Sequence, residues 1–301
     1  MELNDAIQTD LEYYRTGDLE QAERVCKEML DIQPENIDVL SFIGILFFQR
    51  GLYDSAEECF RKVLRVAPDN ADVYCNLGNT LKHKGRLDEA LHYYEKAIKL
   101  NPAYADTYNN VGHILHNKGQ IDDAITYYQK AVELESDYGD AYYNLGTAFQ
   151  DKKQYDLAID YYQKAVDFEP DLDDAYFNMG IIWQEKMRLD QAIECYEKTL
   201  KMNPGRADAH NNLGAIYKER EQYDKAMIHF YLALQVDPGL AQAHVNLGSI
   251  FQEQGRTDEA ITCYRKALEI DPGLDEVYKN VGLLLPAAGN RELGTDDEKD
   301  R

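Results

Sequence analysis

The sequence is short of positive charge. Against 55 Asp and Glu stand 32 Lys and Arg, a formal net charge of −23 over 301 residues. A surface of that sign repels phosphate backbones and anionic headgroups, so nucleic acid and membrane surfaces are set aside as partners. Cysteine is confined to Cys26, Cys59, Cys75, Cys195 and Cys263, an odd set with no CxxC pair. In a chain too large to need disulfide staples, that predicts a reducing, cytoplasmic setting. No run of about 18 apolar residues occurs, so no membrane insertion is expected. The opening MELNDAIQTDLEYY has no basic region followed by an apolar run, and no export signal is expected either.

Chemistry-bearing motifs are missing as well. The chain has no glycine-rich phosphate loop, GxSxG elbow, HExxH or separated Cys/His pair, so no catalytic residue and no cofactor is assigned and an enzyme is not expected. His113 and His116 stand one helical turn apart, with His83 a repeat earlier, but no Cys pair or motif carboxylate joins them. They read as ordinary polar residues, and no metal is expected. Acidic residues are plentiful, yet their positions mark helix starts and solvated faces rather than a catalytic pair.

What is present is a repeat. A glycine preceded by an aliphatic residue or methionine recurs at Gly44, Gly78, Gly112, Gly146, Gly180, Gly214, Gly248 and Gly282, every interval being 34. Twelve residues after each of the first seven comes an alanine, from Ala56 to Ala260, and four further an aromatic, from Phe60 to Tyr264. A proline closes most units, with Ser136 the exception. Each unit carries two amphipathic stripes with three- and four-residue spacing, separated by a break such as Gly85. Asp54, Asp88, Asp122, Asp156, Asp190, Asp224 and Asp258 place a carboxylate at the positive end of each second stripe. The 44% hydrophobic content suffices to bury a core, Trp183 included. Small Gly and Ala let helices approach, aromatics fill the remaining space, and hairpins stack to complete each other's cores.

This pattern closely resembles the tetratricopeptide repeat family over nearly the whole chain. The resemblance implies an all-α fold, a right-handed superhelical solenoid of antiparallel helix hairpins. The expected organisation is one solenoid over 3–286: repeats 3–36, 37–70, 71–104, 105–138, 139–172, 173–206, 207–240 and 241–274, then a ninth first helix, 275–286. The first repeat has Thr9 and Asp10 in place of the aliphatic–Gly pair, as in a polar end cap. Residues 287–301 are expected to form an acidic, disordered tail.

In this family the first helices line a concave groove, and that resemblance assigns the candidate site. Two residues before each glycine stands an asparagine: Asn76, Asn110, Asn144, Asn178, Asn212, Asn246 and Asn280. Such a ladder either donates to and accepts from an extended peptide backbone or ties neighbouring hairpins together. Six residues before the glycines runs an acidic column, Asp38, Asp72, Asp106, Asp140, Asp174 and Asp208, with Gln242 and then Glu276. It either complements the helix dipole or makes a groove for basic peptides. Tyr143, Phe177 and Ile181 are expected to form an apolar pocket, and Lys82 and Lys218 are the groove-side bases. Two such distant bases do not make the two-carboxylate clamp of chaperone-tail binders. The ladder and column are more similar to the repeat arm of O-linked N-acetylglucosamine transferases. The expected function is a scaffold or adaptor that holds extended segments of other proteins. One alternative is the substrate-recruiting arm of such a transferase. Another is self-assembly through the C-terminal end at Val281, Leu284 and Leu285.

Overall fold

The computed structural model describes the backbone of residues 18–292 and the side chains of residues 18–284. Thr9, Asp10 and Leu285 lie outside the described side chains. Among the described residues there are sixteen helices and no strand. First helices are α2 (Ile37–Gln49), α4 (Ala71–His83), α6 (Ala105–Asn117), α8 (Gly139–Asp151), α10 (Asp173–Glu185), α12 (Ala207–Glu219), α14 (Ala241–Glu253) and α16 (Asp275–Glu292). Second helices are α1 (Leu19–Ile32), α3 (Tyr53–Val66), α5 (Leu87–Leu100), α7 (Ile121–Leu134), α9 (Tyr155–Phe168), α11 (Leu189–Met202), α13 (Tyr223–Val236) and α15 (Thr257–Ile270). Helix starts within each set recur every 34 residues, in step with the glycines. The chain is an all-α helical repeat solenoid.

Contacts divide it into two compact units, Met1–Gln154 and Tyr155–Arg301. Hairpins touch only their neighbours, so a stack has no single centre that would bind it into one globule. Within each unit the core is a file of buried Ala and aromatic side chains. Ala56, Ala90, Tyr94, Ala124 and Tyr128 are fully enclosed in the first, and Ala192, Tyr196, Ala226 and Phe230 in the second. The glycines exist because these rings lie on them: a Cβ at Gly78 would stand 2.5 Å from Tyr94 Cε1, and one at Gly214 2.7 Å from Phe230 Cε1.

The first helices from α2 to α14 end by left-handed closure. In α4, the Arg86 amide donates to the Leu81 carbonyl at 2.9 Å and Gly85 takes φ +74°. Gly51, Gly119 and Gly255 repeat this, but Lys153, Met187 and Glu221 adopt φ 58° at the same position. Those three hairpins hold strained backbone where glycine would rest freely. The helix from Asp275 also departs from expectation. It continues to Glu292 rather than stopping at Pro286.

Five of the seven aspartates at the second-helix starts have partners that the sequence reading missed. Lys84 pairs with Asp54, Lys118 with Asp88 and Lys152 with Asp122 in the first unit; Lys186 pairs with Asp156 and Arg220 with Asp190 in the second. Every pair is 30 residues apart, so the column of bases was visible as a second 34-residue register. These pairs are exposed and each adds little stability. Glu57 is the exception. It takes Lys84 at 2.6 Å, Arg61 at 2.8 Å and Arg86 at 2.9 Å. Burial raises its pKa, but hydrogen bonds from the three cations outweigh that and hold it at about 2.

Candidate functional site

The first-helix face of the first unit holds a groove of about 850 Å³ that crosses α2, α4 and α6. Asp38, Asp72, Asp106 and Glu135 are the charged residues lining it, and no Lys or Arg is among its lining. Phe42 and Ile45 supply an apolar wall, and Asn76, Asn79 and Asn110 a polar floor. Local structure explains the acids. Asn70 caps α4 through its side-chain oxygen, accepting from the Val73 amide at 3.1 Å, which puts Asp72 in the first turn, where a carboxylate meets the positive helix end.

Tyrosines at the N-caps of the next first helices steady two of these carboxylates. The Tyr104 hydroxyl donates to Asp72, and the Tyr138 hydroxyl donates to Asp106 at 2.7 Å. Asn109 Nδ2 donates to the Tyr138 oxygen at 3.2 Å, and burial followed by the hydrogen bond to Asp106 pushes this phenol well above its usual pKa. Neither tyrosine was picked out by the sequence reading. Their signal was the 32-residue offset from Asp72 and Asp106.

The asparagine ladder is engaged within the fold. Asn110 accepts from Lys82 Nζ at 2.6 Å and donates to Asn79 Oδ1 at 3.1 Å. Asn144 donates to Asn109 at 2.9 Å, Asn178 to the Tyr162 hydroxyl at 3.2 Å and Asn212 to the Tyr196 hydroxyl at 3.3 Å. Asn246 donates to Asn211 at 3.2 Å, and Asn280 bonds to Tyr264. Each links a first helix to the preceding hairpin, so of the two roles weighed for the ladder these bonds serve the stacking one. Asn246 is corrected as a groove residue, since it is only 8% exposed and its amide is spent on Asn211. Lys82, half-buried behind Asn110, has its pKa lowered by that burial.

Tyr143 belongs to the first unit, whereas Phe177 and Ile181 belong to the second. Phe177 also needs correction as an open apolar contact. It is 9% exposed, its ring lies 5.8 Å from that of Tyr196, and the Arg206 guanidinium caps it at 3.9 Å. The same guanidinium pairs with Asp173 at 3.0 Å and Asp174 at 2.6 Å. The acidic column is therefore neutralised at Asp174, while Asp140 and Asp208 are exposed and Lys218 is half-buried. Trp183 is half-buried against its unit's core, with Lys186 Nζ 5.9 Å from the ring centroid.

Among the described residues no group of three or more His, Cys, Asp or Glu could hold a metal ion. His116 Nε2 lies 2.7 Å from Asp151, while His83 stacks on Tyr53 at 5.3 Å. Burial raises the Cys59 and Cys195 thiols to about 11, so both stay protonated and inert. No described helix is long and apolar enough to cross a membrane.

Three family models described as tetratricopeptide repeat match the chain: one at 71–104 and 173–206, a second at 103–168 and 205–273, and a third at 13–77. No enzyme family is among these matches. No curated protein matches. Among solved structures the chain is similar to YrrB, described as a TPR protein with an unusual peptide-binding site. Identity is 29% and the TM-score 0.54, over 62% of this chain and 96% of that one. It is similar to MamA at 31% identity and TM-score 0.51, over 55% of this chain and 97% of that one. PilF of Pseudomonas aeruginosa shares the fold at 20% identity and TM-score 0.63, over 72% of this chain and 97% of that one. Repeats of this kind are a protein-interaction scaffold. With its hairpins, its glycine–aromatic packing and matched segments reaching from residue 13 to 273, the chain belongs to the tetratricopeptide repeat family.

Proposed function

We propose that this scaffold holds an extended, Lys- or Arg-bearing segment of a partner protein along α2, α4 and α6. The observation that carries the reading is the groove across these helices, where Asp38, Asp72 and Asp106 recur once per repeat and no basic side chain lines the walls. Phe42 and Ile45 offer apolar contact between the acids, and Asn76 offers an amide to main chain. A preformed helical wall loses little entropy on binding, so the ordering cost falls on the peptide.

The test is fluorescence anisotropy with a labelled (Lys-Ala)5 peptide. Affinity should fall about tenfold or more between low salt and 0.3 M salt, as charge pairs are screened. The variant Asp38→Asn/Asp72→Asn/Asp106→Asn should bind weakly at either salt while keeping its helical signal. Salt-insensitive binding, or equal binding by the variant, would overturn the reading.

A second reading is self-association through α16, on Tyr278 and Leu283 rather than on Val281 and Leu284, which are partly buried against their own unit's core. Tyr278 is 53% and Leu283 72% exposed there, and a Cβ at Gly282 would meet no atom within 4 Å, unlike the ring-covered glycines. Light scattering that reports one monomeric mass at every concentration rejects it.

A further inference from the structure

On the second-helix side of the first unit, away from the acidic groove, lies a pocket of about 340 Å³ whose charged lining is entirely basic. Arg61, Leu64 and Arg65 come from α3, Tyr74 from α4, and Tyr93 and Lys96 from α5. In a chain of net charge −23 such a site is an exception that packing alone does not require. The two tyrosine rings are stacked at 6.0 Å, and Lys96 Nζ rides above both, 5.4 Å from Tyr74 and 5.6 Å from Tyr93. Lys96 is exposed and has no ion pair among the described residues.

The two arginines differ. Arg61 turns its fork onto Glu57, with Nε at 2.9 Å and Nη2 at 2.8 Å from Oε1, while its Nη1 donates to the Tyr93 hydroxyl at 3.2 Å. Arg65 is exposed, and its one hydrogen bond is a long one, 3.4 Å from Nε to the Arg61 carbonyl. Its guanidinium edge is open. The neighbouring level, between α5 and α7, has Lys99, Tyr108, Tyr127 and Lys130 in the equivalent places but Glu95 in place of Arg61, and Lys130 is engaged by Glu133 at 3.0 Å. The basic pocket is thus built at one level of the unit.

We propose that this pocket docks an Asp- or Glu-bearing segment of a partner protein, with Arg65 forking one carboxylate and Lys96 meeting a second. One open fork and one ammonium match a pair of monoanions. A phosphate dianion would need the Arg61 fork too, and Glu57 already holds that. Leu64 and the tyrosine faces accept an aliphatic side chain between the carboxylates. The nearest acids, Glu57 and Glu89, are both held on Arg61, at 2.8 Å and 3.7 Å, which leaves Arg65 and Lys96 to the ligand. The site is independent of the first-helix groove and takes ligand of the opposite sign.

The experiment is titration of the full chain with a labelled (Glu-Leu)4 peptide at 0.15 M salt. One saturable equivalent is expected. Arg65→Glu/Lys96→Glu should weaken it at least tenfold with an unchanged melting temperature, since both side chains are exposed, and Lys130→Ala should leave it unaltered. The proposal is overturned by equal binding of the native and doubly reversed chains, or by no saturable binding to the native chain. Displacement of the peptide by phosphoserine or inorganic phosphate at concentrations where free glutamate fails would also overturn the carboxylate assignment.

Discussion

Gly180 lies so close beneath Tyr196 that a Cβ built on it would stand 2.6 Å from the ring's Cε1. The ring has nowhere to go. It is fully buried, its hydroxyl donates to Gln184 at 3.0 Å, and Asn212 of the next hairpin donates to it at 3.3 Å. The glycine, the ring and the inter-hairpin bond form one packed unit.

Gly180→Ala should therefore cost about 1–3 kcal/mol by overpacking. Gly282→Ala should be neutral or stabilise by up to about 1 kcal/mol, because helix propensity then acts without a clash. Urea melts of the two variants decide this, and equal midpoints would show that the ring contact does not set the glycine requirement.

The hydroxyl of Tyr128 is buried without a hydrogen-bond partner, although Tyr128 occupies the same place in its hairpin as Tyr196. The expected donor, Asn144, turns to Asn109 instead. Removing an unsatisfied buried hydroxyl relieves its desolvation cost, so Tyr128→Phe should stabilise by about 1 kcal/mol, and Tyr196→Phe should destabilise by a similar amount. Phe60 and Phe230 already fill this position natively. A lower thermal midpoint for Tyr128→Phe than for the native chain would refute the assignment.

His210 and His229 face each other with Nδ1 atoms 3.1 Å apart, and Tyr217 stacks on His229 at 5.6 Å. Burial followed by the partner's charge lowers His229 to about 4, and burial lowers His210. Between about 4 and the ordinary histidine value near 6.5 the unfolded chain thus binds more protons than the folded one. The stability these residues contribute is present above that upper value and is lost as pH falls toward 4. Melting temperatures at pH 7.5 and pH 5 should drop further for the native chain than for His229→Tyr, which carries the residue found at the equivalent Tyr93, Tyr127 and Tyr161. An equal drop in both chains would place the acid sensitivity elsewhere.

Much of this was legible from spacing alone. A 34-residue register of Gly, Ala and aromatic residues fixes where helices start, which residues meet inside a hairpin and where first-turn carboxylates stand. Asp38, Asp72 and Asp106 reach the groove for that reason. Spacing did not disclose that the asparagine ladder would be spent on Tyr162, Tyr196 and neighbouring asparagines, because a repeat sets backbone register but not the hydrogen-bond partner each amide chooses. Phe177 likewise read as open, and only Arg206, brought over it from the next loop, closes it.

By itself, then, the sequence determined the helical hairpin, its period, its terminators and the acidic register along the first helices, all set by contacts within a single hairpin. Only the tertiary structure decided which of those charges stay unpaired. Stacking brings residues 27 to 35 positions apart into contact, where side-chain reach and rotamer choose the pairs. That choice leaves Asp38, Asp72 and Asp106 in a groove free of bases, neutralises Asp174 with Arg206, and leaves Arg65 and Lys96 open on the other side.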